Sequence, residues 1–258
     1  MIEKKFWQKG EIVLLSRMNT FYRYLLIIIL VKTSTIVNAQ VQHTGWLAAF
    51  NTFKLSNNTS IHFDAQLRSG DEMKNLQTIL IRPGINYHIN SSMSATAGYG
   101  IIENRRTMDE VTGYASEHRI WEQFIVTHKL KTISTAHRFR LEQRFIPITT
   151  VENNEIEVID RTTSHRFRYF IRNILPLQNP QSFSNGFFFA LQNEVFLNIA
   201  KLEAVNGKTF DQNRLYLAFG YRLPGKIDIE AGYMNQYIST RTSFINNHIG
   251  QLALYKRL

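Results

Sequence analysis

The sequence predicts an all-β fold, a single antiparallel transmembrane β-barrel of about ten to twelve strands. Three observations point there. Apolar and polar residues alternate with period two from Gly45 onward. The alternating segments run longer than the ~5–6 residues of an ordinary globular strand and reach the ~9–11 that a tilted bilayer crossing needs. The connections alternate short turns with longer polar stretches, as in barrels of this class.

In chain order, Lys4, Lys5, Lys9, Arg17 and Arg23 precede an apolar run from Tyr24 to Val31. Charge followed by a short apolar run is the order of a secretory signal peptide, and the run falls well short of the ~20 residues of a spanning helix. Val37-Asn38-Ala39 places a small residue before Gln40, so cleavage is expected after Ala39. Met18 is a possible true start, because residues 1–17 add a polar preamble to a signal complete without them. Residues 40–258 are then the barrel, expected in the outer membrane of a Gram-negative cell. Its expected partners are outer-membrane lipid and lipopolysaccharide, with the barrel-assembly machinery acting during insertion.

Alternation predicts strands at 43–54, 59–68, 75–89, 92–104, 116–130, 134–146, 163–174, 185–199, 210–223, 226–238 and 246–257. The clearest is Ile61 to Arg68, where odd positions are apolar and even positions are His62, Asp64, Gln66 and Arg68. Short turns at 56–58, 88–92, 131–134 and 224–225 alternate with longer loops at 69–75, 105–115, 147–162, 200–209 and 239–245. The connection 175–185, with Pro176 and Pro180, is too long for a tight turn. The ten segments from residue 59 close as an even-numbered barrel. Segment 43–54 then has the wrong parity: it pairs irregularly as an extra strand, folds inward, or implies a missing twelfth.

Charge and composition narrow the function classes. The net charge is +10, and residues 1–39 hold six Lys/Arg against two Asp/Glu, which leaves +6 on the remainder. Arginines recur singly along alternating segments instead of massing on one tract, so nucleic-acid binding is not expected. Zero cysteines rule out disulfides and Cys-ligated metals. No paired histidines stand at ligand spacing and no calcium-type loop is present, so neither a metal nor a cofactor is expected. Loop 147–162 is acidic through Glu152, Glu155, Glu157 and Asp160, a solvated run able to gather divalent cations between lipopolysaccharide phosphates. Aromatics such as Trp46, Tyr87, Tyr99, Trp121, Phe187, Phe219, Tyr233 and Tyr255 fall near strand ends, where an interfacial girdle or plain β-propensity would put them.

Several ordered stretches resemble one family: Glu117-His118-Arg119-Ile120-Trp121-Glu122-Gln123, His137 to Phe145, Arg166-Phe167-Arg168-Tyr169, Phe210 to Tyr216, Gly232 to Tyr237, and Asn247-His248. Together they resemble the bacterial outer-membrane-barrel family called domain of unknown function 2490, over nearly all of Trp46 to Tyr255. The resemblance implies a location and an architecture, and no activity.

The strongest chemical feature is a ladder of ionic residues on the polar face. Arg138, Arg140, Glu142 and Arg144 lie on one strand and Arg166, Arg168 and Arg172 on the next, with Glu194, Arg214, Asp228 and Glu230 further along. Guanidinium forks pair bidentately with carboxylates, so these residues are expected to form an interior polar network. Such a network either fills the barrel or lines an anion-attracting constriction, and in a barrel of this size filling is favoured. Segment 116–130 alternates poorly and leaves the facing of Arg119 and Glu122 open. His118, His128, His137, His165 and His248 are candidates for a lipid-directed enzyme, but no serine sits in a nucleophile-elbow context. The expected function is therefore a non-catalytic outer-membrane barrel, structural or a narrow channel. The alternatives are an outer-membrane lipid enzyme and a soluble periplasmic ligand-binding barrel.

Overall fold

The computed structural model describes residues 39–178 and 183–257. All of the expected signal peptide but Ala39, the alternative start at Met18 and Pro180 lie outside the described residues. Eleven strands form one closed barrel in the order β1-β11-β10-β9-β8-β7-β6-β5-β4-β3-β2. They are β1 (Ala39–Lys54), β2 (Thr59–Gly70), β3 (Asn75–His88), β4 (Met93–Met108), β5 (Val111–Leu130), β6 (Ile133–Glu152), β7 (Glu155–Pro176), β8 (Gly186–Ala200), β9 (Phe210–Leu223), β10 (Ile227–Ser239) and β11 (Phe244–Lys256).

Parity resolves through one irregular contact. β1 pairs antiparallel with β2, but parallel with β11, from Ala39↔Phe244 to Asn51↔Lys256. An even-numbered, wholly antiparallel closure is thus corrected: eleven strands must leave one like-directed pair where the ring shuts. That contact, hereafter the seam, includes a side-chain hydrogen bond of 3.1 Å from Thr44 Oγ1 to Asn247 Oδ1.

Two of the expected loops are strand. Residues 105–115 continue as paired β4 and β5 out to Met108↔Val111, and 147–162 as β6 and β7 out to Glu152↔Glu155. The connections are two-residue turns, Asp109-Glu110 (φ 48° and 67°) and Asn153-Asn154 (φ 49° and 62°). Two successive positive-φ residues give the type I′ geometry whose twist matches a hairpin, and Asn and Asp tolerate it best. Strands β5, β6 and β7, of 20, 20 and 22 residues, therefore outrun the rest. What distinguishes the two ends is strand length and not loop length. At the short-turn end lie 55–58, 89–92, 131–132, 177–178, 183–185 and 224–226; the projecting hairpins stand at the opposite, long-hairpin end.

Alternation sorts the side chains. Ile81, Ile85, Leu141, Leu217, Phe219 and Leu252 face outward and are exposed, while the even positions of β2, β3 and β6–β9 turn into the lumen. The lumen has an apolar side of Trp46, Ile174, Phe188, Tyr216, Met234 and Ile249, and an ionic side built on β2 to β8. Inward rings lie flat against glycine. A Cβ on Gly220 would stand 2.3 Å from the Phe188 ring, and one on Gly84 2.8 Å from Trp121. Trp46, Trp121 and Tyr255 therefore belong to the interior and not to an aromatic girdle: Trp46 and Trp121 are buried, and Tyr255 stacks on inward Phe50 at 4.7 Å.

Candidate functional site

The ladder begins with register. On adjacent β6 and β7, Arg140 stands opposite Arg168 and Glu142 opposite Arg166. Two guanidiniums side by side repel, so the arrangement needs carboxylates to reach both. Glu142 is that group: Arg166 donates to its Oε2 through Nε at 3.0 Å and Nη2 at 2.6 Å, and Arg168 to its Oε1 through Nη1 at 2.5 Å. Arg82, Arg119 and Arg140 each approach the same carboxylate at 3.8 Å. One acid thus gathers arginines from β3, β5, β6 and β7. Charges taken out of water cost several kcal/mol each unless paired with good geometry, and this pairing offsets that cost.

The remaining members attach in turn. Glu194 accepts from Arg138 Nη2 at 2.7 Å and Arg168 Nε at 2.9 Å. Arg166 spans to Asp211 at 2.7 Å, and Arg144 donates to Glu117 at 2.7 and 3.1 Å. Arg140 donates to Gln123 Oε1 through Nε at 3.1 Å and Nη2 at 2.6 Å, and lies over the Trp121 ring at 4.6 Å. Arg214 takes no carboxylate; its Nε donates to Gln212 at 3.2 Å and its guanidinium lies over Trp46 and Phe196. Toward the short-turn end, Arg172 pairs with Glu230, and Asp228 is shared by Arg222, at 2.8 and 3.0 Å, and Arg257. The ladder is thus one cluster around Glu142 and Glu194, while Asp228 and Glu230 form a separate group beyond it.

Sequence reasoning missed Asp64, Arg82, Glu117, Asp211 and Arg222. Asp64 is bound by Arg82, and Arg119 donates to Glu117 at 2.6 Å, which turns Arg119 inward; Glu122, by contrast, is outward and exposed. The even positions of β2 and β3 carried the signal for Asp64 and Arg82, because both strands alternate cleanly. The centre of the cluster is withdrawn from solvent: Trp121 is 0% exposed, and Arg140 and Glu142 are each 1% exposed.

Histidines are differently placed. His118 meets the Tyr99 hydroxyl at 2.5 Å, His137 the Tyr169 hydroxyl at 2.9 Å, and His248 the Tyr233 hydroxyl at 2.6 Å. Tyrosine, and not serine or threonine, is the partner in each. Ser60 Oγ and His88 Nε2 do meet at 2.8 Å, but Ser60 is fully buried and already accepts from Asn86 Nδ2 at 2.9 Å. A substrate cannot reach that hydroxyl. Among the described residues no group of three or more His, Asp or Glu is placed to hold a metal ion.

The model of the family described as protein of unknown function DUF2490 matches residues 43–247. The chain belongs to this family. A curated protein of Methylorubrum extorquens, described as uncharacterised, is 25% identical to this DUF2490 chain over 198 residues, which is 75% of this chain and 78% of that protein. Among solved structures, the NanC porin overlays 79% of this DUF2490 chain and 92% of its own at 9% identity, with a TM-score of 0.44.

Proposed function

We propose that this DUF2490 barrel is a non-catalytic protein of the Gram-negative outer membrane, whose lumen is shut at mid-height by its ion-paired arginines. The observation that carries the reading is the burial of Glu142, Arg140 and Trp121 inside a ring of strands. Charges lining an open pore would border water, whereas Arg140 and Glu142 at the centre of this cluster are each 1% exposed. Outward Leu, Ile and Phe side chains with an ionic lumen fit a barrel surrounded by lipid, and they are the reverse of a soluble barrel with a lipophilic cup. In that setting the barrel contacts outer-membrane lipid and lipopolysaccharide and is inserted by the barrel-assembly machinery.

Planar-bilayer recordings test it. Wild-type protein is expected to give no porin-scale current steps. The variant Trp121→Ala/Arg140→Ala, checked for a folded barrel by heat-modifiable migration on a gel, is expected to give discrete steps. Ohmic wild-type conductance of porin size overturns the reading.

A further inference from the structure

We propose that the lumen carries an oxyanion-binding site on the long-hairpin side of the seal, formed by Arg68 of β2 and Arg214 of β9, which both pack on the Trp46 ring, with carboxylate or phosphate as ligand. Arg68 lies near the β2 end that leads to the long hairpins, and Arg214 near the β9 end on the same side. Both guanidiniums pack on one indole, with ring-centroid distances of 4.0 Å for Arg68 and 5.0 Å for Arg214. Both are only half-buried, unlike the arginines around Glu142.

Among the described residues no carboxylate stands within ion-pair distance of either. Their protein partners are neutral amide oxygens. Arg68 donates twice to Gln66 Oε1, at 3.1 and 2.6 Å, and Arg214 once to Gln212 Oε1 at 3.2 Å. A chain of neutral groups supports Gln212: Gln236 Nε2 donates to its Oε1 at 2.5 Å, Asn247 Nδ2 to Gln236 Oε1 at 3.3 Å, and Thr44 Oγ1 to Asn247 Oδ1 at 3.1 Å. Every amide oxygen in this chain is already an acceptor. The wall therefore offers guanidinium N–H groups and two positive charges, a setting that disfavours a cation.

The charge count points the same way. Around Glu142, Glu194, Asp228 and Glu230 each arginine finds a carboxylate, since a charge withdrawn from water is costly to leave unpaired. Arg68 and Arg214 depart from that pattern together, on one ring. Stacking holds their planes, and the amide bonds hold one edge of each, so their free edges are fixed before any ligand arrives. Planar forks of this kind suit the oxygens of carboxylate and phosphate.

This site goes beyond the sealed-barrel reading, and its occupancy does not depend on whether current passes. The test is thermal unfolding of the full barrel in detergent at constant ionic strength, with inorganic phosphate or acetate replacing chloride over low millimolar concentrations. A ligand that binds the folded state raises the melting temperature along a saturating curve. Saturation by either anion is expected, with the midpoint shifted at least about tenfold by Arg68→Gln or Arg214→Gln and unchanged by Lys129→Gln at the short-turn end. Arg214→Lys, which keeps the charge and loses the fork, provides a milder second variant and is expected to weaken the response too. A response absent from wild type, or linear and equal in all variants as general salt exclusion produces, overturns the site.

Discussion

Arg168 holds two carboxylates at once: its Nη1 donates to Glu142 at 2.5 Å while its Nε and Nη2 reach Glu194 at 2.9 and 2.7 Å. It ties β6 to β8 across β7, the strand that carries it. Glu142 in turn is the one acid between Arg166 and Arg168, with three further guanidiniums close behind. Removing its charge leaves buried cations facing each other. Glu142→Gln is expected to cost about 3–5 kcal/mol of unfolding free energy, measured by urea titration of the refolded barrel. A loss below 1 kcal/mol would mean that water or another acid compensates.

The seam can be fixed covalently. Ala48 and Ala253 are register partners across β1 and β11, both buried, in a chain that has no cysteine. Neighbouring strands lie ~4.8 Å apart, inside the Cα range that a disulfide bridges. Ala48→Cys/Ala253→Cys should cross-link on mild oxidation and change gel mobility without reductant. Folded single variants combined with an uncrosslinked double variant would place β1 elsewhere.

Gly220 and Phe188 form a pair in which one residue is small because the other is large. Gly220→Ala is expected to destabilise by about 1–3 kcal/mol, because the new methyl meets the ring with nowhere to go. In the background Phe188→Leu the same substitution should cost visibly less, and the difference is read as a double-mutant coupling from unfolding curves. Equal costs in both backgrounds would dissociate the glycine from the ring.

The Asn153-Asn154 turn makes a local prediction. Asn154→Gly should leave the projecting hairpin intact, whereas Asn154→Val, forced to a positive φ, should cost about 1–2 kcal/mol locally. Cleavage by a glutamate-specific protease at Glu152 and Glu155 should then rise by a factor of about 5–30. Unchanged cleavage in the valine variant would mean that the turn adopts another shape.

Much of the barrel was legible from residues because each strand is two-faced. Ile61 to Arg68 reveals its inward side at a glance, and most of the other strands follow from similar stretches, with 43–54 and 116–130 alternating poorly. Segment 43–54 gave its existence but not its partner: Leu47, Ala48, Ala49 and Phe50 are apolar on both faces, so alternation says nothing about direction, and a parallel closure leaves no local trace. The hairpins of β4 to β7 were hidden by polar side chains. Glu152-Asn153-Asn154-Glu155 reads as a loop by composition, although two successive Asn are also a type I′ turn signal. For the interior, Arg138 to Arg172 stood out because they crowd two neighbouring strands. Asp64, Arg82 and Glu117 are dispersed in sequence, and only the register brings them beside Glu142's arginines. Trp46 and Trp121 look like interfacial residues until their parity is known.

The parallel contact between β1 and β11 also has a kinetic meaning. Thr44 and Asn247 are 203 positions apart, so the ring cannot shut until its last strand exists, and loop closure of that span is entropically the most demanding step in forming the sheet. Until then the growing sheet presents two bare edges, each a template for wrong pairing. Every other strand can form against its predecessor by a local hairpin. Nearest-neighbour additions can thus proceed in chain order, but the outer edge of β1 stays bare until β11 exists to cover it.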